Sequence, residues 1–388
     1  MALFDDLSQQ ARSAPESSIV AIVNHARLRD DVIPLWVGEG DRPTPAFICD
    51  PAIQSLRDGE TFYTWQRGIP PLREALAVYH TRHFGGSHDP ENFYVTGSGM
   101  QAIKLVIEAI CSVGDEVVYL SPAWPNIGAA LSIFGARGVP IVFDHSDRGW
   151  TLDMDRLASA IRPSTRALFV NTPSNPTGWT ASEDELRLIL ELARKHDVWI
   201  IADEIYARFY YSGHRAPSFL DIMEPDDRIL FVNTFSKNWS MTGWRAGWIR
   251  ASAELGQVFE NLIQYSTSGV AQFIQRGAVA AVNDGDPYIE EQKEQARKTR
   301  DILYEALTAT NRVRLSKPDG AFYAFFSIDG LADSGSAVYR IVDEASVGLS
   351  PGSGFGKGGE AFFRACFLRR RSDIEQAAER LNRFISSI

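Results

Sequence analysis

Four short apolar runs, each ending on polar residues and separated from the next by an amphipathic stretch, constrain this chain most. Val117-Val118-Tyr119-Leu120 stops at Ser121-Pro122, and Ala167-Leu168-Phe169-Val170 at Asn171-Thr172-Pro173. Val198-Trp199-Ile200-Ile201 stops at Ala202-Asp203-Glu204, and Ile229-Leu230-Phe231-Val232 at Asn233-Thr234. The runs are rich in β-branched and aromatic residues and do not alternate with polar ones. That pattern predicts strands buried on both faces of a largely parallel sheet. The intervening segment 183–196 reads as a helix. Ser182 can cap it, Glu185 completes a capping box, and Leu186, Leu188, Ile189, Leu190 and Leu192 supply its apolar residues. Repeated strand and helix predict an α/β fold with ligand groups collected at the carboxyl ends of the strands.

After residue 285 the pattern changes. A long charged helix over 288–309 precedes Phe322-Tyr323-Ala324-Phe325-Phe326, which reads as an alternating or edge strand, and a last helix over 374–385. The division expected is a large domain over 47–285 and a smaller α+β domain built from 1–46 and 286–388. With 388 residues, 45% of them hydrophobic, the chain can bury one large core or two smaller ones. A net charge of -10 argues against nucleic acid or an anionic membrane as partner. Arg369-Arg370-Arg371 reads as the solvated start of the last helix. The acidic opening Met1-Ala2-Leu3-Phe4-Asp5-Asp6 lacks a basic-then-apolar leader, and no apolar run approaches the roughly 20 residues that span a bilayer. Cys49, Cys111 and Cys366 are too scattered for a disulfide framework or a zinc site. A cytoplasmic protein without a metal is the expectation.

The strand ends carry the chemistry. Lys237 lies in Ser236-Lys237-Asn238-Trp239-Ser240-Met241-Thr242-Gly243-Trp244-Arg245, with an arginine eight positions on. A nearby guanidinium disfavours the ammonium, leaving an amine able to attack a carbonyl, and it can also pair with a phosphate. Gly97-Ser98-Gly99-Met100-Gln101 sets a glycine turn at a helix start, where free N–H groups suit a phosphate. Trp124, after another strand, can stack on a ring or be core. Asn175-Pro176-Thr177-Gly178 is a common turn sequence. Asp203 is a carboxylate at a buried strand end, which must be paired or hold its proton. Arg364, inside Ala361-Phe362-Phe363-Arg364-Ala365-Cys366-Phe367, either snorkels from an edge strand or waits for an anion.

Taken together with Gly38-Glu39-Gly40-Asp41, Tyr63 and Gly68-Ile69-Pro70, these strings occur in the order found in one family. From about residue 20 to its end, the chain resembles the class I/II pyridoxal-phosphate-dependent aminotransferases of the aspartate aminotransferase fold. The resemblance implies a Lys237 aldimine with pyridoxal 5'-phosphate, and a proton moved by the same amine. It implies that Asp203 pairs with the pyridine nitrogen, that Tyr206 and Asn175 bond the phenolic oxygen, and that Trp124 stacks on the ring. It assigns the phosphate to Ser98, Gly99, Met100, Thr234 or Ser236, and Arg245, with Tyr63 reaching across from a second subunit of a homodimer. It assigns the substrate carboxylate to Arg364, Asn175 and the backbone near Gly38. The substrates are then an amino acid and a 2-oxo acid.

Met100 stands where some relatives carry a lysine, and no second arginine for a side-chain carboxylate is evident. With Trp36, Phe62, Trp65, Gln66 and Tyr265 it points to a neutral or aromatic amino acid. Two other readings share parts of the pattern. A carbon–sulfur β-lyase of the same fold needs the same Lys237 and Arg364. A ligand-sensing module would carry a DNA-binding segment ahead of the matching region, where only some twenty residues stand in this acidic chain.

Overall fold

The computed structural model describes residues 3–388; Met1 and Ala2, which open the acidic N-terminal stretch, lie outside the described residues. Among these residues seven strands form the main sheet: β1 (Phe93–Thr96), β2 (Glu116–Ser121), β3 (Arg137–Val142), β4 (Thr165–Asn171), β5 (Trp199–Asp203), β6 (Ile229–Thr234) and β7 (Gly247–Arg250). Their order is β1-β7-β6-β5-β4-β2-β3. The five from β6 to β3 pair in parallel, while β7 runs antiparallel to both β6 and β1. All four apolar runs lie in this sheet, although Val198 just precedes β5.

Continuous apolar runs are needed because alternate residues of one strand enter opposite cores. Leu168, Val170 and Ile200 pack with Leu186, Ile189 and Leu190 of helix α2 (Glu183–His196). Ala167, Phe169 and Ile201 pack with Leu105 and Ile107 of helix α1 (Gly99–Ile110). Each of the Val, Leu, Ile and Phe side chains, fully buried, contributes about 1.5–3 kcal/mol. Helix α2 begins with the expected capping box: Glu185 N–H donates to Ser182 Oγ, and Ser182 N–H donates to the Glu185 carboxylate. Two of the leucines assigned to its apolar side differ from expectation: Leu188 is exposed and Leu192 is only half-buried.

A second sheet contains β8 (Val313–Arg314), β9 (Tyr323–Ile328), β10 (Ser350–Pro351) and β11 (Phe362–Cys366), in the antiparallel order β8-β9-β11-β10. The strand expected at an edge, β9, is instead interior. It pairs on both sides and every residue but Ser327 is buried, which is why its aromatic residues run together without alternating. Beneath this sheet Ile22, Leu35 and Trp36 share a core with Leu303, Tyr323, Phe363 and Leu381. The N-terminal segment thus packs with the C-terminal third of the chain.

Helix α3 (Asp286–Thr308) joins the two regions. Its Ile289 packs with Trp239 and Trp248 beside the main sheet, whereas Ala296, Leu303 and Leu307 enter the core of the second. The last helix, α4 (Arg371–Ser387), begins within the arginine cluster. Among the described residues no helix is long and apolar enough to cross a membrane, and no group of His, Cys, Asp or Glu could hold a metal ion.

Candidate active site

The polar ends of β4, β5 and β6 open on a cavity of about 430 Å³, closed on the far side by Gly38 and by Tyr323 and Arg364 of the second sheet. Lys237, three residues beyond β6, donates from Nζ to the carbonyl oxygen of Gly38 at 2.7 Å. Its pKa is lowered to about 8, by burial first and then by the Arg364 charge. Arg245, the neighbour singled out in the sequence, contributes the same sign but less. The local spacing pointed to the wrong arginine as the main charge, because Arg364 arrives from another sheet.

Asp203 ends β5 almost wholly buried, and burial raises its pKa to about 7. No arginine or lysine lies within salt-bridge distance of it among the described residues; the Ile205 N–H and the Asn171 side chain favour its charged form only partly. A cationic hydrogen-bond donor is what this carboxyl lacks. Tyr206, three residues on in a turn, is buried with its hydroxyl 2.8 Å from that of Tyr323. Burial pushes the Tyr206 phenol well above its ordinary range.

Arg364 on β11 is the mirror case, a buried cation whose partners are all neutral. Nη1 donates to Asn175 Oδ1 at 3.0 Å, and Nη2 donates to Ser350 Oγ and the Trp36 carbonyl. The guanidinium lies 4.6 Å from the Tyr323 ring centre and 4.8 Å from that of Phe355. With β11 flanked by β9 and β10, Arg364 is 2% exposed, which removes the snorkelling alternative.

At the opposite end, the start of α1 meets β6 and β7. Gly99 and Met100 line the cavity there with Thr234, Ser236 and Arg245. The Thr234 hydroxyl oxygen accepts from Ser236 N–H at 3.1 Å. The backbones are close: a Cβ on Gly247 would lie 2.6 Å from Asn233 O and 2.8 Å from Gly99 N. Arg245 holds a left-handed backbone, φ 53°, strained for a residue with a side chain. Its Nη1 donates to Thr242 O. Free amides, a helix start and a guanidinium at one end fit an anion.

Trp124 and Asn175 also line the cavity. Ser98 does not; its hydroxyl caps α1 by accepting from Gln101 N–H. Tyr63 lies outside it, 93% exposed, and Phe62, Trp65 and Tyr265 are exposed as well. Trp36 is buried against Gly348, and only its carbonyl serves the site.

Among the cavity residues that the sequence did not assign to the site are Asn171, Glu39 and Tyr323. Asn171 accepts from Asn175 N–H and donates to the Asp203 carbonyl, fixing two strand ends together. Glu39 accepts from the Thr242 hydroxyl at 2.7 Å. Tyr323 supports Arg364 and touches Tyr206. Asn171 was visible as a polar residue at a strand end, whereas Tyr323 looked like one more aromatic of a buried strand.

Known proteins match this chain in sequence and in fold. The family model described as aminotransferase class I and II matches residues 30–381. The chain is 30% identical over 393 residues to an aspartate aminotransferase of Geobacillus stearothermophilus, covering 98% of this chain and 99% of that one. It is 32% identical over 354 residues to an arginine–pyruvate transaminase of Pseudomonas aeruginosa, covering 91% and 89%. The solved structure of an aromatic aminotransferase from Pyrococcus horikoshii superposes with a TM-score of 0.87 at 30% identity, covering 94% and 99%. With the family model spanning nearly the whole chain, this protein belongs to the class I and II aminotransferases, which work with pyridoxal phosphate.

Proposed function

We propose that this aminotransferase takes the amino group from a neutral or aromatic L-amino acid and passes it to a 2-oxo acid. The observation that carries the side-chain assignment is the cation inventory of the cavity. Lys237, Arg245 and Arg364 are its three basic groups among the described residues, and each has a task below. Among the described residues of this chain no further cation in the wall is left for a side-chain carboxylate, and the remaining wall includes Ile19, Val37, Met100, Trp124 and Ile205. A second acid in that wall would be desolvated without a partner.

The residues fit the cofactor. Asp203, a buried carboxyl without a cation, suits a protonated ring nitrogen, and the amide-rich start of α1 with Arg245 suits a phosphate. Between them stand Lys237 for the aldehyde, Trp124 for the ring face, and Tyr206 with Asn175 for the phenolic oxygen. Thr234 and Ser236 offer hydroxyls to the phosphate, and Ser98 contributes through its capping of α1. Pyridoxal phosphate, when bound, supplies an aldehyde for amines and a ring that withdraws electrons.

The chain's own groups do the rest. Asp203 keeps the ring nitrogen protonated by giving it an anionic partner. Lys237 Nζ, already depressed to about 8, takes and returns a proton as a neutral amine. Arg364 presents Nη1 and Nη2 to the substrate carboxylate, exchanging neutral acceptors for an anionic one. Anchoring that carboxylate fixes which bond of the α-carbon faces Lys237.

The large and small domains are taken as 47–285 and 1–46 with 286–388. The protein is read as a cytoplasmic homodimer in which Tyr63 reaches the phosphate of the partner. Its exposure beside Phe62, Trp65 and Tyr265 supports that reading, because such a cluster is a contact surface on a soluble chain. Residues 62–66 carry aromatic, hydroxyl and amide groups and no cation, consistent with the neutral side-chain preference.

A spectral screen tests the substrate class. The yellow holoenzyme is mixed with single amino acids without acceptor, and loss of the yellow band marks a donor. Phenylalanine, tyrosine or leucine should bleach it fastest. Aspartate bleaching it much faster than all three would overturn the assignment.

A further inference from the structure

Tyr323 has no task in the chemistry above, yet its hydroxyl is the hydrogen-bond partner of Tyr206, at 2.8 Å. Both side chains are buried, and their rings meet edge to face at 85°. Two phenols own two protons, and one lies between the oxygens. Left without an acceptor, the other costs about 1–3 kcal/mol. Among the described residues neither hydroxyl has a second hydrogen-bond partner, and both residues line the cavity. The second proton is therefore available there.

The surroundings decide which phenol offers it. The Arg364 guanidinium covers the Tyr323 ring at 4.6 Å, making that phenol the better acid. Burial raises both groups and the Arg364 charge opposes the rise at both. At Tyr323 that charge is the largest influence after burial, whereas at Tyr206 it ranks behind the neighbouring phenol and the Asp203 charge adds to the rise. The better acid donates, so Tyr323 O–H points to the Tyr206 oxygen and Tyr206 O–H turns to the cavity. The place of the Tyr323 hydroxyl depends on Gly38, where a Cβ would come within 2.4 Å of it.

We propose that Tyr323 is a positioning residue, whose hydroxyl holds Tyr206 as a proton donor aimed at the phenolic oxygen of bound pyridoxal phosphate. The inference rests on the reading of Tyr206 given above. A hydroxyl that already accepts one hydrogen bond also donates a stronger one.

Tyr323→Phe removes one oxygen and leaves the ring beneath Arg364. The visible absorbance of the holoenzyme is titrated against pH for the wild type, Tyr323→Phe, Tyr206→Phe and the double variant. Loss of a donor to the phenolic oxygen destabilises its ionised form, so Tyr206→Phe moves the midpoint upward. Tyr323→Phe moves it the same way by about 0.4–1 pH unit, the worth of one neutral hydrogen bond. The double variant matches Tyr206→Phe alone, because Tyr323 acts through Tyr206. Tyr323→Phe also lowers kcat while KM for the amino acid stays within about twofold, since the support of Arg364 is kept.

A shifted Tyr206→Phe beside an unmoved Tyr323→Phe overturns the inference and leaves the reading of Tyr206 standing. A further shift in the double variant also overturns it, because Tyr323 then acts independently. If neither single variant shifts, the reading of Tyr206 fails and this inference with it.

Discussion

Lys237 Nζ and the Gly38 carbonyl, 199 residues apart in sequence, meet at 2.7 Å. The bond holds the amine in the cavity through a backbone oxygen that carries no charge, so burial and Arg364 are free to depress its pKa. Lys237→Ala should retain bound cofactor non-covalently while turnover falls by about 10²–10⁴-fold or more. Single-turnover loss of the yellow band measures it, and an undiminished rate would defeat the assignment of Lys237.

Arg364 is a buried cation with neutral partners, so its removal should separate stability from function. Arg364→Met lowers kcat/KM by roughly 30-fold to several thousand-fold, from about 2–5 kcal/mol of lost carboxylate binding. The same variant should match or exceed the thermal stability of the wild-type apoenzyme, because an uncompensated desolvated charge is gone. A large drop in melting temperature with normal KM would contradict both halves.

Asp203 and Glu204 give the apoenzyme a definite pH dependence. Burial raises both to about 7, from ordinary values of 3.8 and 4.5. Between those values these two carboxyls bind more protons in the folded chain than in the unfolded one, so their contribution to stability is greatest at the acidic end and is lost as pH rises through about 7. His80 and His83, lowered by burial to about 3 and about 4, contribute with the opposite sign. In Asp203→Asn part of this fall should vanish, leaving that of Glu204, while turnover is lost. Urea midpoints of the two apoproteins from pH 5 to pH 8, chosen to cover roughly this interval, measure the difference.

Gly247 stands where backbone meets backbone. A Cβ there would press on Asn233 O and Gly99 N, neither of which can rotate aside. Gly247→Ala should therefore cost about 1–3 kcal/mol and weaken cofactor affinity by moving the start of α1. Thermal unfolding and cofactor titration read the two effects; unchanged values in both would show that the strands part without cost.

The homodimer has a complementation test. Lys237→Ala and Tyr63→Ala variants, each impaired alone, are unfolded together and refolded. If Tyr63 serves the partner's site, mixed dimers contain one site with both native residues and activity returns. If Tyr63 serves its own chain, no such site forms and activity stays low.

Much of this was readable from the residues because each strand end is a local event. The capping box at Ser182 and Glu185, the buried runs, and the polar residues closing them follow from neighbours in sequence. What joins distant segments was not readable. Nothing in Phe322-Tyr323-Ala324-Phe325-Phe326 says which aromatic faces a cavity, because β9 is buried on both sides and pairing register decides it. The hydroxyl of Ser98 could equally have met a phosphate or an amide of α1, and the helix took it. The charge that most depresses Lys237 came from β11, far outside its own motif.

Helix α3 has its first turns in one core and its remainder in the other, while Lys237 and Arg364 sit on opposite sides of the same seam. A ligand held at both residues is therefore a reversible cross-link between two packed bodies. Its binding adds to whatever keeps those bodies together, by an amount that grows with the logarithm of ligand concentration even after the site is full. Heated without ligand, the two cores are free to melt at separate temperatures; heated with it, they should melt as one.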